Sequence, residues 1–129
     1  MQELNEANKI LLLQQSTNGY DGLIRSFRHS YGTATDPALT EITISVKNHN
    51  GEWHNLLFKL QGVSTFLIRE GPGCYQVLSN GFTFDWFENK LYFSFDLNPA
   101  EVNSRKDFLE SGFFFIAEIG WWEIIPYSE

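Results

Sequence analysis

The sequence predicts a mainly β fold with minor α: a single antiparallel meander of about eight strands, forming a sandwich or a partly open barrel, with an N-terminal helix. Three observations lead there. Apolar and polar residues alternate with a period of two in several separate stretches. Aromatic residues make up 16% of the chain and 12 residues are Phe, a composition suited to pleated, half-buried surfaces. Gly, Pro and Asn clusters interrupt the alternation at intervals, as turns do. The chain has 129 residues, read as a single domain over 1–129. At this length roughly two thirds of the unfolded surface can be buried.

Taken in order, residues 3–15 set Leu4, Ala7, Ile10 and Leu11 at helical spacing, with Glu3 and Glu6 at the N-terminal end. The run 10–13 also suits a short strand, and Ser16-Thr17-Asn18-Gly19 ends the element. In 20–31, Leu23, Phe27 and Tyr31 fit a helix face, whereas Leu23, Arg25, Phe27 and His29 fit a strand face; the strand is preferred. Asp36-Pro37 marks the loop that follows. Ile42, Ile44 and Val46 then alternate with Thr43, Ser45 and Lys47, Asn50-Gly51 signals a tight hairpin, and Leu56, Phe58 and Leu60 face inward on the return strand. Gly62 predicts a bend, Phe66 and Ile68 are expected inward beyond it, and the stretch 70–73 is a break.

Residues 75–96 form the nucleus. Phe82, Phe84 and Trp86 alternate on one side of Glu88-Asn89-Lys90, and Leu91, Phe93 and Phe95 on the other, so a hairpin is expected with Asn89 in its turn. Between 97 and 112, Asn98-Pro99 and Ser104 through Asp107 carry helix-start signals. Residues 113–119 are apolar on both faces, which demands a covering layer from another sheet or from the N-terminal helix. Gly120 predicts a bend, Trp121–Trp122 must split between inside and outside, and Pro126 stops pairing.

Sixteen acidic residues against 9 basic ones give a net charge of −7. That balance opposes nucleic acid and anionic membrane surfaces; it permits a basic protein partner, and solubility is the preferred reading of it. Cys74 is the only cysteine, so no internal disulfide forms. The run 10–13 is too short for a signal or membrane segment, and no basic n-region precedes it. A soluble cytoplasmic protein is expected.

No constellation for chemistry stands out. His29, His49 and His54 lack metal-ligand spacing, Cys74 has no local base, and neither a nucleophile elbow nor a phosphate loop is present. The expectation is no cofactor, no metal and no enzyme activity, with one question left to the fold: whether His29, His54 and Cys74 converge. The candidate partner surface is the outer face of the central hairpin. Alternation places Asp85, Phe87, Tyr92 and Asp96 on one side with Glu88 at the tip, and exposed rings among carboxylates fit a protein interface. The competing reading is a second layer that hides those rings.

The run Phe58–Phe66 (FKLQGVSTF), then Val77–Phe82 (VLSNGF), then Trp86–Phe95 (WFENKLYFSF) resembles small bacterial β-rich proteins, some of them immunity proteins of toxin systems. The likeness covers 40–125 and consists of strand, glycine bend and hairpin, with no catalytic motif. It implies a fold neighbourhood and only hints at a role, and it carries over no functional residue. The net charge of −7 and the lack of a catalytic constellation motivate the leading reading, a small non-enzymatic binding protein acting as an immunity-type inhibitor of a basic protein partner. The alternative is a β-barrel that holds an apolar small molecule, motivated by the Phe content. A filled core favours the first reading and an enclosed cavity the second.

Overall fold

An asparagine box starts the first helix. Asn5 is extended (φ −151°, ψ 173°). Its side chain accepts from the Asn8 N–H at 3.0 Å, and the Asn8 side chain accepts from the Asn5 N–H at 3.1 Å. The computed structural model describes residues 1–16, 19–68, 77–78, 81–97, 100 and 102–127. Within them lie β1 (Gln2–Glu3), α1 (Glu6–Gln15), β2 (Gly22–Ser30), β3 (Leu39–Lys47), β4 (Trp53–Gln61), β5 (Thr65–Leu67), β6 (Val77–Leu78), β7 (Thr83–Phe87), β8 (Lys90–Ser94), α2 (Arg105–Leu109), β9 (Phe114–Ala117) and β10 (Ile119–Ile125). The break expected at 70–73, Cys74 and the start signal at Asn98-Pro99 fall outside the described residues.

The fold is mainly β, with antiparallel strands in two sheets. A six-stranded sheet runs β1-β10-β4-β3-β2-β6, and a four-stranded sheet runs β5-β9-β8-β7. The meander comes in two parts, β2-β3-β4 and β7-β8-β9, which long-range pairings then join. The ambiguous stretch 20–31 is strand β2, with a register shift between Ile24 and Ser26. The β7–β8 hairpin closes in two residues, Glu88 (φ 53°) and Asn89 (φ 63°), both left-handed as a type I′ turn requires. The β3–β4 connection is longer than Asn50-Gly51 alone predicts. Asn48 organises it, its side-chain oxygen accepting from the N–H groups of Asn50 (2.9 Å) and Glu52 (3.0 Å).

The chain changes sheet twice at one corner. Between β4 and β5 it turns at Gly62 (φ 69°), as expected; between β9 and β10 it turns at Glu118 rather than at Gly120. The crossings are held together by Glu118 N–H donating to the Gln61 carbonyl (3.0 Å) and Ser64 N–H donating to the Ile116 carbonyl (2.9 Å). Gly120 instead lies inside β10, where a Cβ would come within 2.8–3.0 Å of Leu91, Leu4 and Leu60.

Between the sheets the core is a stack of rings. Phe58, Phe82, Phe84 and Phe93 are all 0% exposed. Phe93 stacks on Phe82 (5.8 Å) and Phe84 (5.5 Å) and meets Phe58 edge-on at 5.0 Å. Trp122 is buried and Trp121 half-buried, the expected split. Two expectations of burial also fail. In α1 it is Leu12 and Leu13 that bury, while Ile10 and Leu11 are exposed, because the helix starts at Glu6 and its face is rotated from the one read out of 3–15. Phe66 reaches sheet two's rim and is half-open rather than inward.

Candidate binding surface

The hairpin residues singled out in the sequence are brought together, but under a cover. α2 carries Phe108, fully buried, down onto the outer face of β7 and β8. Phe87, Tyr92 and Phe108 form a triad of edge-on rings at 5.4, 5.9 and 6.0 Å. Tyr92 is therefore only 5% exposed and Phe87 half-buried, where the alternation pattern leaves both partly open. The cover is neither a sheet nor the N-terminal helix. It is the segment around α2, started by Asp107, whose carboxylate accepts from the N–H groups of Ser104 (2.9 Å) and Asn103 (2.8 Å). Those two hydrogen bonds hold the Asp107 carboxyl below its ordinary value. The Ser104–Asp107 spacing was the sequence signal for this cover; the following Phe108 was not read as its anchor.

The carboxylates differ among themselves. Asp85 lies 3.4 Å from Lys9 Nζ on α1 and accepts from the Trp86 N–H at 2.9 Å. Glu88, at the hairpin tip, has a side chain 79% exposed and lies 3.6 Å from Arg105. Asp96 is exposed, and its N–H donates to Ser94 Oγ at 3.1 Å. Two of the five residues, Glu88 and Asp96, thus present their carboxylates to solvent.

The histidines do not meet. His29 pairs with Thr40 and His54 with Val46 along β3. Six residues of strand separate those partners, about 20 Å at 3.3 Å per residue. His29 Nδ1 is 2.8 Å from Thr40 Oγ1, and its ring packs on Phe66 at 4.7 Å and on Tyr31 at 5.0 Å. His54 is half-buried, its Nε2 has no hydrogen-bond partner among the described residues, and burial lowers its pKa. Cys74 lies outside the described residues. Among those residues no group of three or more His, Cys, Asp or Glu could hold a metal ion, and no helix is long and apolar enough to cross a membrane.

Two apolar surfaces went unread in the sequence. One continues the core outward at the rim between β2 and β5, where Phe27 and Phe66 stand 6.3 Å apart, 39% and 38% exposed, beside Tyr31 at 82%. The other lies where α1 meets β10. A depression of about 370 Å³ there is lined by Met1, Gln2, Leu11, Gln15, Trp122, Glu123 and Ile124. A neighbouring one of about 320 Å³ shares Gln15 and Ile124 and reaches His54. The Trp122 indole N–H is buried without an acceptor among the described residues. No family model, curated protein or solved structure matches this chain.

Proposed function

We propose that the chain is a small non-enzymatic binding protein of the cytoplasm that inhibits a basic protein partner, in the manner of an immunity protein. The observation that carries this is the filled interior. The ring stack of Phe58, Phe82, Phe84 and Phe93 occupies the space in which a barrel would hold a ligand. The described depressions are open at the surface, which supports recognition of a macromolecule there over enclosure of an apolar small molecule. A net charge of −7 supports a cationic target.

On the hairpin face the steering groups of this proposal are the exposed carboxylates Glu88, which lies 3.6 Å from Arg105, and Asp96, while Asp85 is less exposed and lies beside Lys9. Phe87 and Tyr92 back that face from beneath Phe108 rather than making first contact. Affinity capture from the source cell, followed by stopped-flow binding, tests the reading. A basic partner is expected, with association slowed and its salt dependence flattened by Glu88→Lys with Asp96→Lys. An acidic partner, or association rates that ignore both charge reversals, overturns it.

A further inference from the structure

We infer that the outer face of the six-stranded sheet is an interface between two copies of this chain, packed sheet on sheet. Neither this inference nor the proposed function depends on the other.

The side chains of the face come first. On β2, β3, β4 and β10, alternate residues turn inward to the ring stack and the residues between them turn to the far side. A solvated sheet face is ordinarily polar. Here Leu57 on β4 stands opposite Glu123, between Trp121 and Ile125 on β10, and Trp53 is 39% exposed at one end of β4. Leu57, Trp121 and Ile125 are half-buried and belong to neither of the two buried clusters. The polar pair in the middle of the face is already satisfied. Ser45 Oγ donates to Asn55 Oδ1 at 2.5 Å, so a covering layer breaks no hydrogen bond there.

Charge and area select a second copy as the occupant. The chain carries −7 overall, yet the paired positions of these four strands hold Arg28, Lys47 and Lys59 against Glu41 and Glu123 on this face. A cationic partner gains nothing by choosing it, and a second acidic chain meets no repulsion there. A two-fold axis running along the strands, between β3 and β4, sets each residue over the partner's residue in the same row. Glu41 then faces the partner's Lys59, Thr43 the partner's Leu57 and Arg28 the partner's Trp121, each contact made twice. Among the described residues, none of Arg28, Glu41 and Lys59 is in an ion pair within the chain. Aligned sheets pack within about 30° of each other, which keeps these rows together near the axis. Four strands about 4.8 Å apart and about 25 Å long present roughly 500 Å² in plan, and side-chain relief brings that toward the roughly 800 Å² each partner buries in a stable pair. The hairpin with Glu88 and Asp96 belongs to the other sheet, so the pair carries a copy of that face at each of its two ends.

Sedimentation equilibrium of the full chain tests this. A dimer is expected, with a dissociation constant of about 1–100 µM. Glu41→Lys opposes two positive charges across the axis and Lys59→Glu two negative ones, so each variant alone is expected to dissociate about tenfold more readily or worse. Mixed one to one, the two variants oppose unlike charges at both contacts, and a heterodimer within about threefold of the wild-type affinity is expected. Mixing leaves the charges within each chain unchanged, so the recovery separates the interface from any loss of fold. Trp121→Lys is expected to give a monomer that still melts cooperatively. A wild-type chain that stays monomeric up to about 1 mM overturns the inference. So do charge variants that dimerise like wild type, a mixture that associates no better than its parts, or a dimer abolished by Phe66→Asp at the β2–β5 rim and untouched by Trp121→Lys.

Discussion

His54 sets a pH dependence in mild acid. Its half-buried ring lines the depression shared with Gln15, Asn48 and Ile124, and burial holds its pKa below the ordinary 6.5. The unfolded chain therefore takes up a proton, as pH falls through 6.5, that the folded chain refuses, and stability declines in mild acid until the lower folded value is passed. His54→Phe is expected to flatten the melting temperature between neutral and mildly acidic pH, and scanning calorimetry across that range checks it. Asp107 acts at lower pH and with the opposite shift: its support for α2 is present above 3.8 and is lost as pH falls through its depressed folded value. At the centre of the ring stack, Phe84→Ala should cost about 3–5 kcal/mol by leaving a cavity against Phe93. Denaturant melts that coincide with wild type would refute this placement.

At the scale of elements, glycines separate two kinds of constraint. Gly51 has φ 79° and open space where its Cβ would be, so Gly51→Val suffers backbone strain alone, about 1–2 kcal/mol. Gly62 has φ 69°, and a Cβ would lie 2.8 Å from the side chain of Glu118, so Gly62→Val must also displace that side chain at the sheet crossing and should lower the midpoint further. Equal midpoints for the two variants would mean the corner yields freely. Gly62 was legible as a bend because it broke an otherwise continuous β pattern. Gly120 looked alike in sequence, but its role is to let Leu91, Leu4 and Leu60 close over β10, a contact among distant residues that no local pattern carries. Strands 39–47, 53–61 and the central hairpin were legible for the same reason: period-two alternation is local. The cover over Tyr92 and the rotated face of α1 were not, because each depends on where an element docks rather than on how it forms. For the candidate surface, alternation correctly grouped Asp85, Phe87 and Tyr92 on one face but gave no sign that Phe108 would lie over it.

In the whole molecule, the segment 114–125 occupies a middle position in both sheets. β9 sits between β5 and β8, and β10 between β1 and β4. Both meanders that flank it are local, whereas its own partners Asn55–Gln61 and Thr65–Leu67 lie far back along the chain. Local hairpins form early and long-range pairings late. As the chain leaves the ribosome, the strand edges of β4, β5 and β8 must wait, bare, for the last strand to arrive, and bare edges recruit foreign strands. A chain ending at 112 is expected to aggregate, and a synthetic peptide of residues 113–127 supplied in trans to restore a monomeric, cooperatively melting fold. The two crossings at Gly62 and Glu118 thus make one late strand a keystone, and the protein's vulnerable interval is the time between synthesis of β8 and of β10.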